Sequence, residues 1–168
     1  MIKKHYYSWT DIERMCISIM NQMFRDNWRP DYIVGITRGG NVPATILSNM
    51  TGIRCEALKV SLRDDDSESE SNAWMAEDAF GYNDGTIVTA SPLHKKILIV
   101  DDINDTGATF QWIKNDWSNG ENWADIWKNN VRFAVMTENL ASEFHDVQYS
   151  WDEVNKAEED VWLVYPYE

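Results

Sequence analysis

Four consecutive apolar residues, Ile97 to Val100, run straight into Asp101 and Asp102 in the stretch ILIVDDINDTGATF at 97–110. An unbroken apolar run that ends in turn chemistry reads as a strand buried on both faces, the kind found in parallel sheets. That commits the chain to an α/β architecture, whose ligands lie beyond the carboxyl ends of the strands. Asp101 and Asp102 stand at that end. Gly107, between Thr106 and Thr109, then opens a helix whose free N–H groups suit an anion. An acidic pair beside an anion cradle implies a ligand carrying both hydroxyls and a phosphate.

The rest of the chain repeats the pattern. Ile12, Met15, Cys16, Ile19, Met20, Met23 and Phe24 recur at helical spacing, predicting a helix over 10–26 with Thr10 and Glu13 as its capping box. A strand is expected at 31–37, a turn at Arg38-Gly39-Gly40, and a helix from Val42 that Asn41 caps and Gly52 stops. Further strands are expected at 54–62, at 86–92, in KKILIVDD and in VRFAVMT, with helices over 106–117 and in NWADIWKNN. Strands alternating with helices give a mostly parallel, twisted sheet flanked by helices. With 168 residues and no linker or repeat, one domain is expected.

Charge narrows the function. The formal net charge of −13 argues against a nucleic-acid partner, because such affinity rests on Lys and Arg at phosphates. No apolar run reaches the ~20 residues of a membrane span. The first residues lack an apolar signal core, and Cys16 and Cys55 have no metal-type spacing. A cytoplasmic setting is therefore expected.

An acidic pair after a strand also occurs in receiver domains of response regulators. That pair lies near the start of their fold, whereas here too little chain follows Asp102. VDDINDTGAT instead resembles the phosphoribosyl-pyrophosphate (PRPP) motif of type I phosphoribosyltransferases: apolar residues, two acids, two spacers, then Asp-Thr-Gly-x-Thr. IVGITRGGNVPATILSNMTGIR resembles the same family's pyrophosphate loop and following helix. YYSWTDIE and WLVYPYE are similar to the ends of its bacterial xanthine-guanine members.

The resemblance implies a type I fold with a small hood formed by terminal segments. It implies Mg²⁺-dependent joining of PRPP to a nucleobase, a purine by the closest likeness, with release of pyrophosphate. Asp101 and Asp102 match the residues that hold the ribose hydroxyls and anchor Mg²⁺. Asp105, Thr106, Gly107, Ala108 and Thr109 match the 5′-phosphate loop, and Asp105 also matches the acid/base at purine N7. Arg38, Gly39 and Gly40 match the pyrophosphate loop, where the family often has a non-proline cis peptide. Trp162 matches the base-stacking aromatic, with core packing as its competing role, and the backbone near Leu163 and Glu168 would reach the base edge. The family is usually oligomeric, so a homo-oligomer, dimer or tetramer, is expected. His5, His94 and His145 match nothing and are read as surface or structural residues.

The chain departs from the family in three places. A lysine that faces the 6-oxo group of the base is replaced at the aligned position by Glu138, give or take one residue. Either Glu138 favours an amino group on the base, or a one-residue slip turns it to solvent and Thr137 to the base. Residues 63–85 form an acidic stretch, expected as a flexible loop, with Asp64, Asp65, Asp66, Glu68 and Glu70 where an anionic substrate would approach. Four tryptophans, Trp112, Trp117, Trp123 and Trp127, crowd 111–130 and are expected either in the core or on an exposed apolar patch. A second function class stays open: a catalytically weak protein of the same fold that binds PRPP or a nucleotide for regulation.

Overall fold

The computed structural model describes residues 2–60, 73–80, 94–118, 127 and 129–168. Its elements are β1 (Lys3–Tyr6), α1 (Trp9–Arg25), β2 (Tyr32–Thr37), α2 (Asn41–Thr51), β3 (Arg54–Lys59), α3 (Ala73–Phe80), β4 (Ile97–Asn104), α4 (Ala108–Ser118), β5 (Val131–Asn139), β6 (Tyr149–Val154) and β7 (Val161–Val164). Five strands form one parallel sheet in the order β3-β2-β4-β5-β6. β1 and β7 pair, also in parallel, as a separate two-stranded hood made from the terminal segments.

Strand alternation explains why β4 reads as a solid apolar run. Leu98 and Val100 face α1 and α2, joining Ile12, Met15, Ile19, Met23 and Leu47. Ile97 and Ile99 face the opposite layer with Phe80, Phe110, Ile113 and Trp117. Each such side chain contributes about 1.5–3 kcal/mol by leaving water, so the central strands cannot shift register cheaply.

Local signals place the elements with small corrections. The cap of α1 is Ser8, which shares a capping box with Asp11; Thr10 lies inside the helix. Asn41 is the first residue of α2 rather than its cap, and its amide reaches Thr37 Oγ1 at 3.4 Å. Gly52 ends α2 in the left-handed conformation, φ 75°. β4 runs on to Asn104, past the expected end at Asp102.

The acidic stretch contains a helix that its charge obscured. In α3, Met75, Ala76, Ala79 and Phe80 are buried against the sheet, and Tyr32 Oη donates to Asp78 at 2.8 Å. The rest of the expected loop, 63–72 and 81–85, lies outside the described residues, as do Trp123 and the strand expected at 86–92. Of the crowded tryptophans, Trp117 and Trp127 are buried and stacked at 6.1 Å, and Trp112 packs against the same core. Trp117 and Trp127 are core residues and Trp112 is a partly buried flank of that core, so these three form no exposed patch.

Candidate active site

The carboxyl ends of β2, β4 and β5 converge on one edge of the sheet. At the end of β2 the backbone turns sharply: Gly40 N donates to Ile36 O at 2.8 Å, and the Thr37–Arg38 peptide bond is cis. Arg38 is exposed on this turn. Gly39 lies against the acidic pair so closely that a Cβ there would sit 2.5 Å from Asp102 Oδ2. Only glycine lets this loop share the space above the carboxylate.

Asp101 and Asp102 are half-buried neighbours, each tied back to the strand. Asp101 Oδ1 accepts from Asp102 N at 2.9 Å, and Asp102 Oδ1 from Ile103 N at 2.8 Å. Burial first, and then the charge of Asp102, holds the Asp101 carboxyl well above the usual carboxylate range. Glu168 brings a third carboxyl onto Asp102. Its acidity is also weakened, by burial and then by Asp102.

Beyond the acidic pair, residues 101–110 wrap a cavity of about 230 Å³ at the start of α4. Gly107 has φ 91°, and a Cβ there would meet Phe144 Cβ and N at 2.6 Å. Its freedom turns the chain so that the N–H groups of the first turn of α4 open onto that cavity. Thr106 Oγ1 accepts from Ala108 N at 3.3 Å, while Thr106 O accepts from Glu143 N at 3.1 Å.

A larger cavity, about 680 Å³, adjoins the first and shares Asp105 to Ala108 with it; Asn139, Glu143 and Lys156 also line it. Here Asp105 Oδ1 pairs with Lys156 Nζ at 3.1 Å. Asn139 Nδ2 donates to Asp105 O at 2.8 Å and to Oδ1 at 3.3 Å. The strand end therefore presents, in order, two acids, one acid paired with a cation, and an anion cradle.

The Phosphoribosyl transferase domain model matches residues 3–167. The chain belongs to this family. Two yeast relatives are similar over part of it. Xanthine phosphoribosyltransferase 1 of Saccharomyces cerevisiae is 27% identical over 126 residues, 66% of this chain and 58% of the relative. The hypoxanthine-guanine phosphoribosyltransferase of Schizosaccharomyces pombe is 30% identical over 116 residues, 64% of this chain and 56% of its own length. The chain thus spans somewhat over half the length of these relatives. Among solved structures, a purine phosphoribosyltransferase of Pyrococcus horikoshii shares the fold at TM-score 0.66 and 20% identity, covering 99% of this chain and 95% of its own. The xanthine-guanine-hypoxanthine phosphoribosyltransferase of Helicobacter pylori does so at TM-score 0.66 and 16% identity, covering 98% of this chain and 93% of its own.

Within the chain, the structure brings Arg38, Gly39, Gly40, Asp101, Asp102, Asp105, Thr106, Gly107, Ala108 and Thr109 to one sheet edge. Glu138 is the correction. Its carboxylate accepts from Asn104 Nδ2 at 2.7 Å, on the amide that also holds Phe144 O. Burial pushes the pKa of its carboxyl up from the ordinary glutamate value. Regular alternation would put Glu138 on the α1 side with Ala134 and Met136, but the end of β5 departs from it: Glu138 meets Asn104 beside Phe144, and its neighbour Asn139 faces Asp105. Thr137 does not face the base either, since its hydroxyl lies between Tyr7 and Tyr165.

In the hood, Trp162 is 56% exposed, so its ring is not a core residue, while the Leu163 side chain is buried with α1. Two polar residues of the site, Asn139 and Lys156, were not singled out from the sequence. Asn139 lay within the one-residue uncertainty at the end of β5. Lys156 follows an acidic run, WDEVN, and no spacing rule ties it to Asp105.

Proposed function

We propose that the chain transfers the 5-phosphoribosyl group of PRPP to a nucleobase, a purine, and releases pyrophosphate. The observation that carries this reading is the succession along a single strand–helix junction: an acidic pair for ribose hydroxyls, Asp105 facing a cavity large enough for a base, and the cradle for a phosphate. In the reaction the C1′–pyrophosphate oxygen bond breaks as a base nitrogen forms its bond to C1′. The electron pair of the broken bond leaves with pyrophosphate. Asp105 takes the proton that the base gives up.

Arg38 would meet the departing charge from the β2 turn. The donor set at Asp101 and Asp102 suits Mg²⁺. Two adjacent carboxylates at a half-buried strand end repel one another, and a divalent cation relieves this. Among the described residues no three acidic, His or Cys groups form a complete metal cage. One or two carboxylates plus substrate oxygens is the usual arrangement for Mg²⁺. Asp101 and Asp102 would hold the ion, and when bound it supplies charge neutralisation for the leaving group.

The reading includes a cytoplasmic setting, which the free thiols Cys16 and Cys55 suit, and a homo-oligomer of two or four chains, to be checked by analytical ultracentrifugation. Among the described residues no helix is long and apolar enough to cross a membrane.

The test is pyrophosphate release from PRPP with Mg²⁺ across guanine, xanthine, hypoxanthine, adenine and pyrimidine bases. Base-dependent release is expected in the native protein, falling about 100-fold or more in Asp105→Ala. Silence with every base, while calorimetry still shows PRPP binding, would favour a regulatory protein of the same fold.

A further inference from the structure

The ladder between β4 and β5 ends at the pair Asn104↔Glu138. Asp105 is the first residue beyond it, so the sheet stops holding the chain just where the base proton is to be taken. A buried side chain takes over there. Asn139, the last residue of β5, is 5% exposed and donates through Nδ2 to Asp105 O at 2.8 Å and to Asp105 Oδ1 at 3.3 Å. Resting on the transferase reading above, we propose that Asn139 is a positioning residue for the proton transfer, fixing the Asp105 carboxylate toward the base.

The amide is used at both ends. Its Oδ1 accepts from Lys156 N at 3.0 Å and from Ala141 N at 3.2 Å. Two backbone N–H groups on one side and two acceptor oxygens on the other fix which way round the amide sits. One side chain thereby ties the β4–α4 junction to the loop after β5 and to the turn between β6 and β7. Asn139 is itself anchored: it pairs with Val154 in the β5–β6 ladder, and its carbonyl accepts from Ser142 N at 2.9 Å.

The acid needs such a hold. The Asp105 side chain is 46% exposed, and a carboxylate open to water has more than one rotamer within reach. Both of its polar contacts fall on Oδ1, from Asn139 Nδ2 and, at 3.1 Å, from Lys156 Nζ, so among the described residues Oδ2 is left for the base proton. Lys156 by itself would fix that direction poorly. Its ammonium is a point charge on a flexible stem, and its backbone N–H is held by Asn139 in turn. Glu143, the remaining charged residue of the cavity wall, is exposed.

Orienting a proton acceptor acts on the chemical step rather than on binding. On the transferase reading, PRPP is held by Asp101, Asp102 and the first turn of α4, and the hydrogen bonds of the Asn139 amide go elsewhere. The signature of positioning is therefore a lower kcat with affinity for PRPP kept. A merely structural Asn139 would act through the two backbone N–H groups that it accepts from. Its loss would lower the melting temperature without singling out kcat.

The experiment compares the native protein with Asn139→Asp and Asn139→Ser. Asn139→Asp keeps an acceptor for Lys156 N and Ala141 N but loses the donor to Asp105. Asn139→Ser is neutral, and its shorter side chain falls short of Asp105; it keeps the test open if a buried charge unfolds the first variant. Three quantities are measured for each: the melting temperature, the calorimetric affinity for PRPP with Mg²⁺, and kcat for pyrophosphate release with the preferred base. In a folded variant kcat should fall about 10- to 100-fold, the effect of losing a hydrogen bond to a charged group, with PRPP affinity unchanged. A kcat that holds in a folded variant, or that falls only in step with PRPP affinity, would overturn the assignment of Asn139 alone and leave the transferase reading standing. Silence of the native protein with every base would sink the transferase reading and the assignment with it.

Discussion

Gly39 and Gly107 each occupy a position where one added methyl group collides with the site, but what it meets differs. At Gly39 the obstacle is the free end of the Asp102 side chain. Gly39→Ala should displace that carboxylate while the fold survives, with KM for PRPP rising about 10-fold and stability falling by less than about 1 kcal/mol. At Gly107 the obstacle is the backbone of Phe144, and φ is 91°. Gly107→Ala should therefore cost about 1–3 kcal/mol in urea unfolding, as well as activity. Both glycines were legible in the sequence as parts of motifs. The collisions were not, because the loop carrying Ser142 and Phe144 has no regular pattern that would place it over Gly107.

At the scale of elements, β5 shows how far a sequence carries and where it stops. Its apolar pattern marks the strand, but a one-residue slip exchanges the two faces, and the resemblance left that residue open between Glu138 and its neighbours. The register Asn104↔Glu138 settles it by putting the glutamate beside a buried amide. Glu138 then matters for stability rather than for the base. Burial lifts its folded pKa above the unfolded value, so the native state binds the proton more tightly. The stability this gives is present below about pH 4.5 and is lost as pH rises through the folded value. Glu138→Gln, which keeps an acceptor for Asn104, should flatten the fall in melting temperature as pH rises above about 4.5 and leave the order of bases unchanged. A changed base order would return Glu138 to the cavity. Helix α3 was missed for a related reason: its apolar residues sit between acidic stretches that mask an eight-residue amphipathic pattern.

Across the whole molecule, the hood is fastened to the sheet by a buried polar chain. Tyr7 Oη donates to Asp152 Oδ2 at 2.7 Å, Thr137 Oγ1 donates to Tyr7 Oη at 3.0 Å, and Tyr165 Oη lies 2.9 Å from Thr137 Oγ1 and 3.0 Å from the Asp102 carbonyl. The chain crosses from β6 through β5 to β4 and ends on the backbone of the acidic pair, with the Tyr7 and Tyr165 rings 5.1 Å apart. Burial foremost pushes both phenols far above the ordinary tyrosine range, so they stay neutral hydroxyls throughout the working pH range. Removing either hydroxyl strands a buried partner, at about 1–3 kcal/mol. The two losses should not be equivalent. Tyr165→Phe frees the Asp102 carbonyl and should raise KM for PRPP as well as lower stability, whereas Tyr7→Phe, whose partners are Thr137 and Asp152, should lower stability alone. In the double variant the losses should fall short of their sum by about 0.5 kcal/mol or more, because both hydroxyls meet at Thr137. Strict additivity would mean that hood and sheet are joined by independent contacts, and that the acidic pair takes its position from β4 alone.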